Sequence, residues 1–228
     1  MGWIRTKRII MMKLAQQLLN LKFMADRKPA VSDDAKLAVD AINSAIANIE
    51  KLDIYSSNCV QQIMYFEAFA ARNYWSLIGT KLPGPFCFAH RIKKGASDSF
   101  NPAINYLYGM LKNHVESCIL GFGLDPSLAC MHRDGYNLPS LVFDVMEPFR
   151  PVIDRLLLEQ LLAGKLKAIT ADEDGTIRLT REGRKKLIDL FNEKLQKAMV
   201  YNNARTNLTN HIMLEIKTLA NEIRNHES

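Results

Sequence analysis

The sequence predicts a mainly α-helical fold, a single helical domain with one small β-hairpin near residues 165–180. Apolar residues recur at helical spacing along most of the chain. With 48% of its 228 residues hydrophobic, the chain can build a large core. The clearest period-two pattern flanks Asp174-Gly175, a strong hairpin turn. No internal repeat, low-complexity segment or linker interrupts the chain. Residues 1–228 therefore read as one domain, with N-terminal helices over 5–52, a central block over 57–164, and the hairpin and C-terminal helices over 165–225.

Taken in order, Ile9, Met12, Leu14, Leu18 and Leu21 form the stripe of a first helix over 5–24, which Lys28-Pro29 ends. Ser32 caps a second helix, with Asp33 and Asp34 in the first turn where acids suit the helix dipole. A third helix runs from Ser57 to Gly79. Lys81 to Ser99 breaks the pattern with Pro83-Gly84-Pro85 and a basic stretch. Asn101 is then expected to cap a helix reaching Gly121, with Pro102 at its first position. Pro151 leads into a helix of amphipathic pattern ending near Gly164. After the hairpin, Thr180 caps a basic helix, and Leu208, Ile212, Ile216, Leu219 and Ile223 mark the last one.

The net charge of +6 suits a polyanionic partner but is not specific to one. Cys59, Cys87, Cys118 and Cys130 form no CxxC pair and no zinc-finger spacing, so they read as reduced, mostly buried thiols of a cytoplasmic protein. The N-terminal apolar run is interrupted by Lys13, Gln16 and Gln17, which excludes a signal peptide, and no stretch is long enough to span a membrane.

The chemistry concentrates between Leu124 and Arg155. His132 lies in a polar loop, and Asp144 and Glu147 follow one helical turn apart. Pro148 biases Glu147 away from helical angles, toward a cap position. One imidazole and two carboxylates outline a hard-cation site; plain N-terminal capping by acids is the alternative. Upstream, Glu67 sits within the apolar stripe Ile63, Ala70, Ala71, Tyr74 and Ile78, opposite a wet face of Gln61, Arg72 and Ser76. A carboxylate there needs an ion pair, a hydrogen bond or a metal. A structural salt bridge, for example to an arginine, and a metal site both remain open. Basic residues accompany these acids: Lys81, Arg91, Lys93 and Lys94 in the central loop, then Arg133, Arg150 and Arg155. A second cluster is Arg178, Arg181, Arg184, Lys185 and Lys186. They suit phosphates, or simply form a solvated helix face.

FNPAINYLYGMLKNHVESCILGFGLDPSLACMH followed by SLVFDVMEPFRPVIDRLLL resembles the CRISPR-associated spacer-acquisition integrase (Cas-one) family. MYFEAFAARNYW is similar to that family's upstream catalytic helix, and IRLTREGRKKLIDLF to its C-terminal hairpin and helix. The resemblance covers roughly residues 5–220 in the family's order. It implies that Glu67, His132 and Glu147 are ligands of magnesium or manganese, with Asp144 a supporting acid of the catalytic site. Ala68 stands where a glycine often follows the first ligand. The family's N-terminal β-domain, which helps build the dimer and meet the Cas-two partner, is not part of this sequence. The expectation is thus a compact integrase in which the need for that partner is open.

The implied activity is metal-dependent joining of spacer 3′-hydroxyls to a CRISPR repeat by transesterification, and endonuclease cleavage when water attacks. Arg72, Lys81, Arg91, Lys93, Lys94, Arg133, Arg150, Arg178, Arg181, Arg184 and Lys185 are the candidate DNA contacts. A spacer has two ends and one chain one such site, so a homodimer or a pair of dimers is expected. The competing expectations are a non-catalytic helical DNA-binding or scaffold protein and a transposon-type integrase of the same fold.

Overall fold

The computed structural model describes residues 2–27, 32–53, 55–127 and 139–224. Its first layer is three helices, α1 (Gly2–Arg27), α2 (Ser32–Lys51) and α3 (Cys59–Lys81), each packed on the other two. The stripes read from the sequence are the faces that meet: Ile9, Leu14 and Leu21 of α1, Ile42 and Ile49 of α2, and Ile63, Tyr74 and Ile78 of α3 are fully buried. Each such side chain contributes about 1.5–3 kcal/mol relative to exposure.

The second layer is α4 (Phe100–Gly121), α5 (Ser140–Met146) and α6 (Arg150–Leu162), with a single 3-10 turn at Glu147–Phe149 joining α5 to α6. The sequence pattern of α6 predicted an amphipathic helix. Instead Val152, Ile153, Asp154, Leu156, Leu157, Leu158 and Leu161 are all buried, because α1, α4 and α7 cover three sides of it. Arg155 and Glu159, paired at 2.7 Å, mark its one wet edge.

Two further local expectations are corrected. Glu147 has helical angles (φ −52°, ψ −48°) despite the following proline. The 3-10 turn places Pro148 among its first residues, where a missing N–H costs least, and that outweighs the steric bias. Asn101 does not cap α4: Ser99 holds the cap position without a side-chain bond, and Asp98 just before it accepts the Asn101 backbone N–H at 2.7 Å. Asn101 is fully buried inside the first turn, where its side chain has other work. Among the described cysteines, only Cys59 is buried; Cys118 is half-buried and Cys87 exposed.

The expected hairpin is present. β1 (Thr170–Glu173) and β2 (Thr176–Leu179) pair antiparallel, and Asp174 (φ +53°) and Gly175 (φ +78°) take the left-handed angles of a type I′ turn. Thr180 Oγ1 accepts the Gly183 N–H at 2.9 Å and starts α7 (Arg181–Gln196). A second hairpin, β3 (Ala198–Tyr201) with β4 (Ala204–Asn207), was not expected. Its turn is Asn202-Asn203, both at positive φ, a weaker sequence signal than Asn-Gly. It shortens α7 at Gln196 and leads into α8 (Leu208–Arg224). Arg5 and Arg8 of α1 pair with Glu215 of α8, tying the two ends of the chain together. Among the described residues, no helix is long and apolar enough to cross a membrane.

Candidate functional site

Glu67 lies on α3, where Ile63, Ala70 and Tyr74 of its stripe turn into the core and Gln61, Arg72 and Ser76 face water. Its side chain is 13% exposed and points toward α1. Glu147, 9% exposed, comes from the turn between α5 and α6, which packs against α1. The two meet at one ammonium: Lys13 Nζ is 2.6 Å from Glu67 Oε1 and 2.7 Å from Glu147 Oε2. The carboxylate oxygens can lie no further apart than those two contacts laid end to end. Arg150 Nε is 3.1 Å from Glu147 Oε1, so each oxygen of Glu147 faces a cation. The attraction of both glutamates outweighs burial and holds the Lys13 ammonium above the ordinary lysine pKa.

The partner of Glu67 is therefore a lysine from the first helix, where the sequence alone offered an arginine or a metal. Asp144 is fully buried on α5, one turn before Glu147. His132 and Arg133 lie outside the described residues. Among the described residues, no group of three or more His, Cys, Asp or Glu is placed to hold a metal.

Lys13 opens onto a cleft of about 430 Å³ whose wall carries Arg91, Lys93, Lys112 and Arg150 beside Trp75 and Tyr108. The cleft has a polar floor. Asp154 is fully enclosed and accepts hydrogen bonds from the hydroxyls of Tyr108 (2.5 Å) and Tyr74 (3.1 Å). Asn20 donates to the Tyr74 hydroxyl at 2.9 Å and to the Pro151 carbonyl at 2.8 Å. Burial pushes the Asp154 carboxyl up to about 6, against the two tyrosine hydrogen bonds and the attraction of Arg91 and Lys13. The same burial, beside the Asp154 charge, raises both tyrosines well above their usual range.

Arg91 is held from three sides. Its guanidinium lies 5.1 Å from the Trp75 ring centroid and 5.8 Å from that of Phe100. Asn105 Oδ1 accepts from it at 2.8 Å, and Asn101 Oδ1 also accepts from it. Asn101 donates to the His90 carbonyl and Asn105 to that of Ile92, so one face of α4 staples the loop backbone. From the sequence Asn101 read only as a helix cap, and Asn105 was not singled out. Their i, i+4 spacing in the otherwise apolar first turns of α4 was the available signal. The sequence reading missed Lys13 for a similar reason: a lysine in a first helix reads as solvated.

A second cleft of about 410 Å³ joins the first at Lys93 and Asn105. Lys93 and Lys94 line it from the loop, Arg178 from β2 and Arg184 from α7. The two basic clusters that lie far apart in sequence thus form one track. Arg178 also pairs with Glu173 at 3.1 Å, and Arg184 donates to the Leu179 carbonyl at 2.8 Å. Other candidates lie elsewhere. Arg72 is on the wet face of α3, Lys81 is paired with Asp34 of α2 at 2.5 Å, and Arg181 and Lys185 are exposed on α7. Tyr201 of the second hairpin donates to the Pro148 carbonyl at 3.1 Å and packs on Phe149, fixing the turn that carries Glu147.

Residues 3–193 match the family model described as CRISPR associated protein Cas1. A CRISPR-associated endonuclease Cas1 of Thermodesulfovibrio yellowstonii is 28% identical over 197 residues, 81% of this chain and 61% of the relative. A second, from Pyrobaculum aerophilum, is 34% identical over 164 residues, 71% of this chain and 50% of the relative. The chain thus spans about half to three-fifths of those relatives' length. Among solved structures, a casposase bound to integration product superposes with a TM-score of 0.76 at 23% identity, covering 96% of this chain and 63% of that one. A Cas1 protein from Thermotoga maritima superposes with a TM-score of 0.72 at 21% identity, covering 96% and 64%. The likeness to these two structures is one of fold.

Proposed function

The chain belongs to the Cas1 family of CRISPR-associated proteins, and on that premise we propose that it is a metal-dependent DNA integrase and endonuclease of CRISPR adaptation. The observation that carries the reading is the meeting of Glu67 and Glu147, from separate helices, on one positive charge at the mouth of a basic cleft. The donor set fits a hard divalent cation, since two carboxylates already share a cation and hard cations take oxygen ligands. Glu67, Glu147 and His132 would hold magnesium or manganese, which supplies Lewis acidity for the target phosphate and for charge on the attacking or leaving oxygen.

The chain's own residues do the rest. Arg150 and Arg91 grip phosphate oxygens, and the asparagine staple keeps Arg91 from collapsing into solvent. Lys93, Lys94, Arg178 and Arg184 carry the backbone along the second cleft. A 3′-hydroxyl of the incoming strand forms a new ester with phosphorus, the repeat's own P–O bond breaks, and the released 3′-oxygen takes a proton. With water as attacker the same site cleaves. No Ser or Tyr nucleophile is required, and the two buried tyrosines are engaged with Asp154.

Two joined ends require two copies of the site, so the active species is at least a dimer. Solved complexes containing Cas1 and Cas2 share this fold, and a Cas2-type subunit added to the assay decides whether it is needed here. The test is strand transfer by the purified protein, with a short duplex and a repeat-bearing plasmid, in magnesium or manganese. Glu67→Ala, Glu147→Ala and His132→Ala are expected to lose strand transfer while retaining DNA binding; full activity in all three overturns the assignment. The Lys13 bridge also favours a second reading, a structural ion pair in a non-catalytic DNA-binding protein. Wild-type protein that binds DNA but neither nicks nor joins it under any divalent metal would support that one.

A further inference from the structure

Lys13 has no place in the chemistry just proposed, yet it occupies the centre of the site. Its ammonium spans the oxygens of Glu67 and Glu147, and its side chain is only 12% exposed. A divalent cation and an ammonium cannot share those oxygens, because two positive charges at contact repel strongly in a partly enclosed setting. Something must receive the ammonium when the carboxylates are taken.

The same helix face supplies a receiver. Gln17, one turn along α1 from Lys13, is 2% exposed and lines the same cleft. Among the described residues its buried Oε1 has no hydrogen-bond partner, a costly arrangement for an acceptor. Beyond it the cleft wall carries Arg91, Lys93 and Arg150, groups already suited to phosphate.

We propose that Lys13 is a built-in surrogate cation: it holds Glu67 and Glu147 together in the metal-free protein, yields them to the divalent ion, and then turns toward Gln17 and the cleft as an added phosphate ligand. This deepens the proposed function and rests on the metal reading of the two glutamates. Lys13 is thus a positioning residue before metal binds and a DNA contact afterwards. Linkage then makes metal and DNA binding mutually favourable, since each is served by the same movement of one charge.

The test measures Mn2+ affinity by calorimetry, and DNA affinity with and without Mn2+ by fluorescence anisotropy, on wild type, Lys13→Met, Lys13→Arg, Glu67→Gln and Glu147→Gln. Removing the competing charge is expected to make Lys13→Met bind Mn2+ on the order of tenfold more tightly than wild type. Its thermal midpoint should also rise more on adding Mn2+. Its DNA affinity should no longer improve with Mn2+, whereas that of wild type does. Lys13→Arg is expected to keep part of the coupling. Unchanged or weaker Mn2+ binding in a folded Lys13→Met overturns the proposal, because a merely structural bridge leaves the glutamates splayed when it is lost. If Glu67→Gln and Glu147→Gln bind Mn2+ like wild type, the metal reading itself fails, a result distinct from the failure of Lys13 alone.

Discussion

Asp154 carries a pH dependence that belongs to a single residue. Its carboxyl, ordinarily near 3.8, is pushed up to about 6 by burial, with Tyr74, Tyr108, Arg91 and Lys13 as its charged or titratable neighbours. The folded protein therefore holds this proton more tightly than the unfolded chain does. Stability from this group is full below about pH 4 and is lost as pH rises to about 6, a change on the order of 3 kcal/mol. Asp154→Asn keeps an acceptor for the tyrosines and removes the titration. Denaturant unfolding from pH 4 to 7 should show wild type losing stability relative to the variant across that interval. Parallel curves would mean that the carboxylate is not the source. At this scale the sequence was half legible. Glu67 declared itself because an acid inside an apolar stripe needs a reason, and Ile63, Tyr74 and Ile78 around it are indeed buried. Lys13 and Asp154 did not: an isolated lysine or aspartate on a helix carries no sign of what another helix brings to it.

At the scale of elements, the loop bearing Arg91 and Lys93 is pressed onto α3 at Gly79. The Phe88 N–H donates to the Gly79 carbonyl at 3.2 Å, and a Cβ on Gly79 would stand 2.2 Å from the Phe88 carbonyl oxygen. That neighbour is backbone and cannot step aside, so Gly79→Ala must displace the loop. The expected cost is about 1–3 kcal/mol in unfolding free energy, together with weaker DNA binding in the same variant; unchanged stability would show that the loop does not sit against α3. Helices and the Asp174-Gly175 hairpin were readable because periodicity and turn chemistry are local. The second hairpin was not, since Asn-Asn is a weaker turn signal and four-residue strands give little alternation to read. The burial of α6 was hidden too: which sides of a helix are covered depends on neighbours contributed by the whole chain.

Over the whole molecule, α1, α3 and the α5–α6 junction come together only when the N-terminal and central helices pack as one body. Arg5 and Arg8 then lock α8 onto α1, and Tyr201 braces the turn that carries Glu147. Convergence of this kind was not legible from spacing; it came from the family resemblance, and the coordinates give it a physical basis in helix packing. The basic track is likewise a property of the assembled fold, since the loop cluster and the Arg178–Arg184 cluster adjoin only there. The central claim is that this packing brings two glutamates to a single cation. Anomalous diffraction from crystals soaked in Mn2+ tests it most directly. The account predicts one peak within coordination distance of both Glu67 and Glu147, with Lys13 Nζ moved off the carboxylates. A peak that touches neither glutamate, or none while Lys13 keeps its bridge, would contradict it.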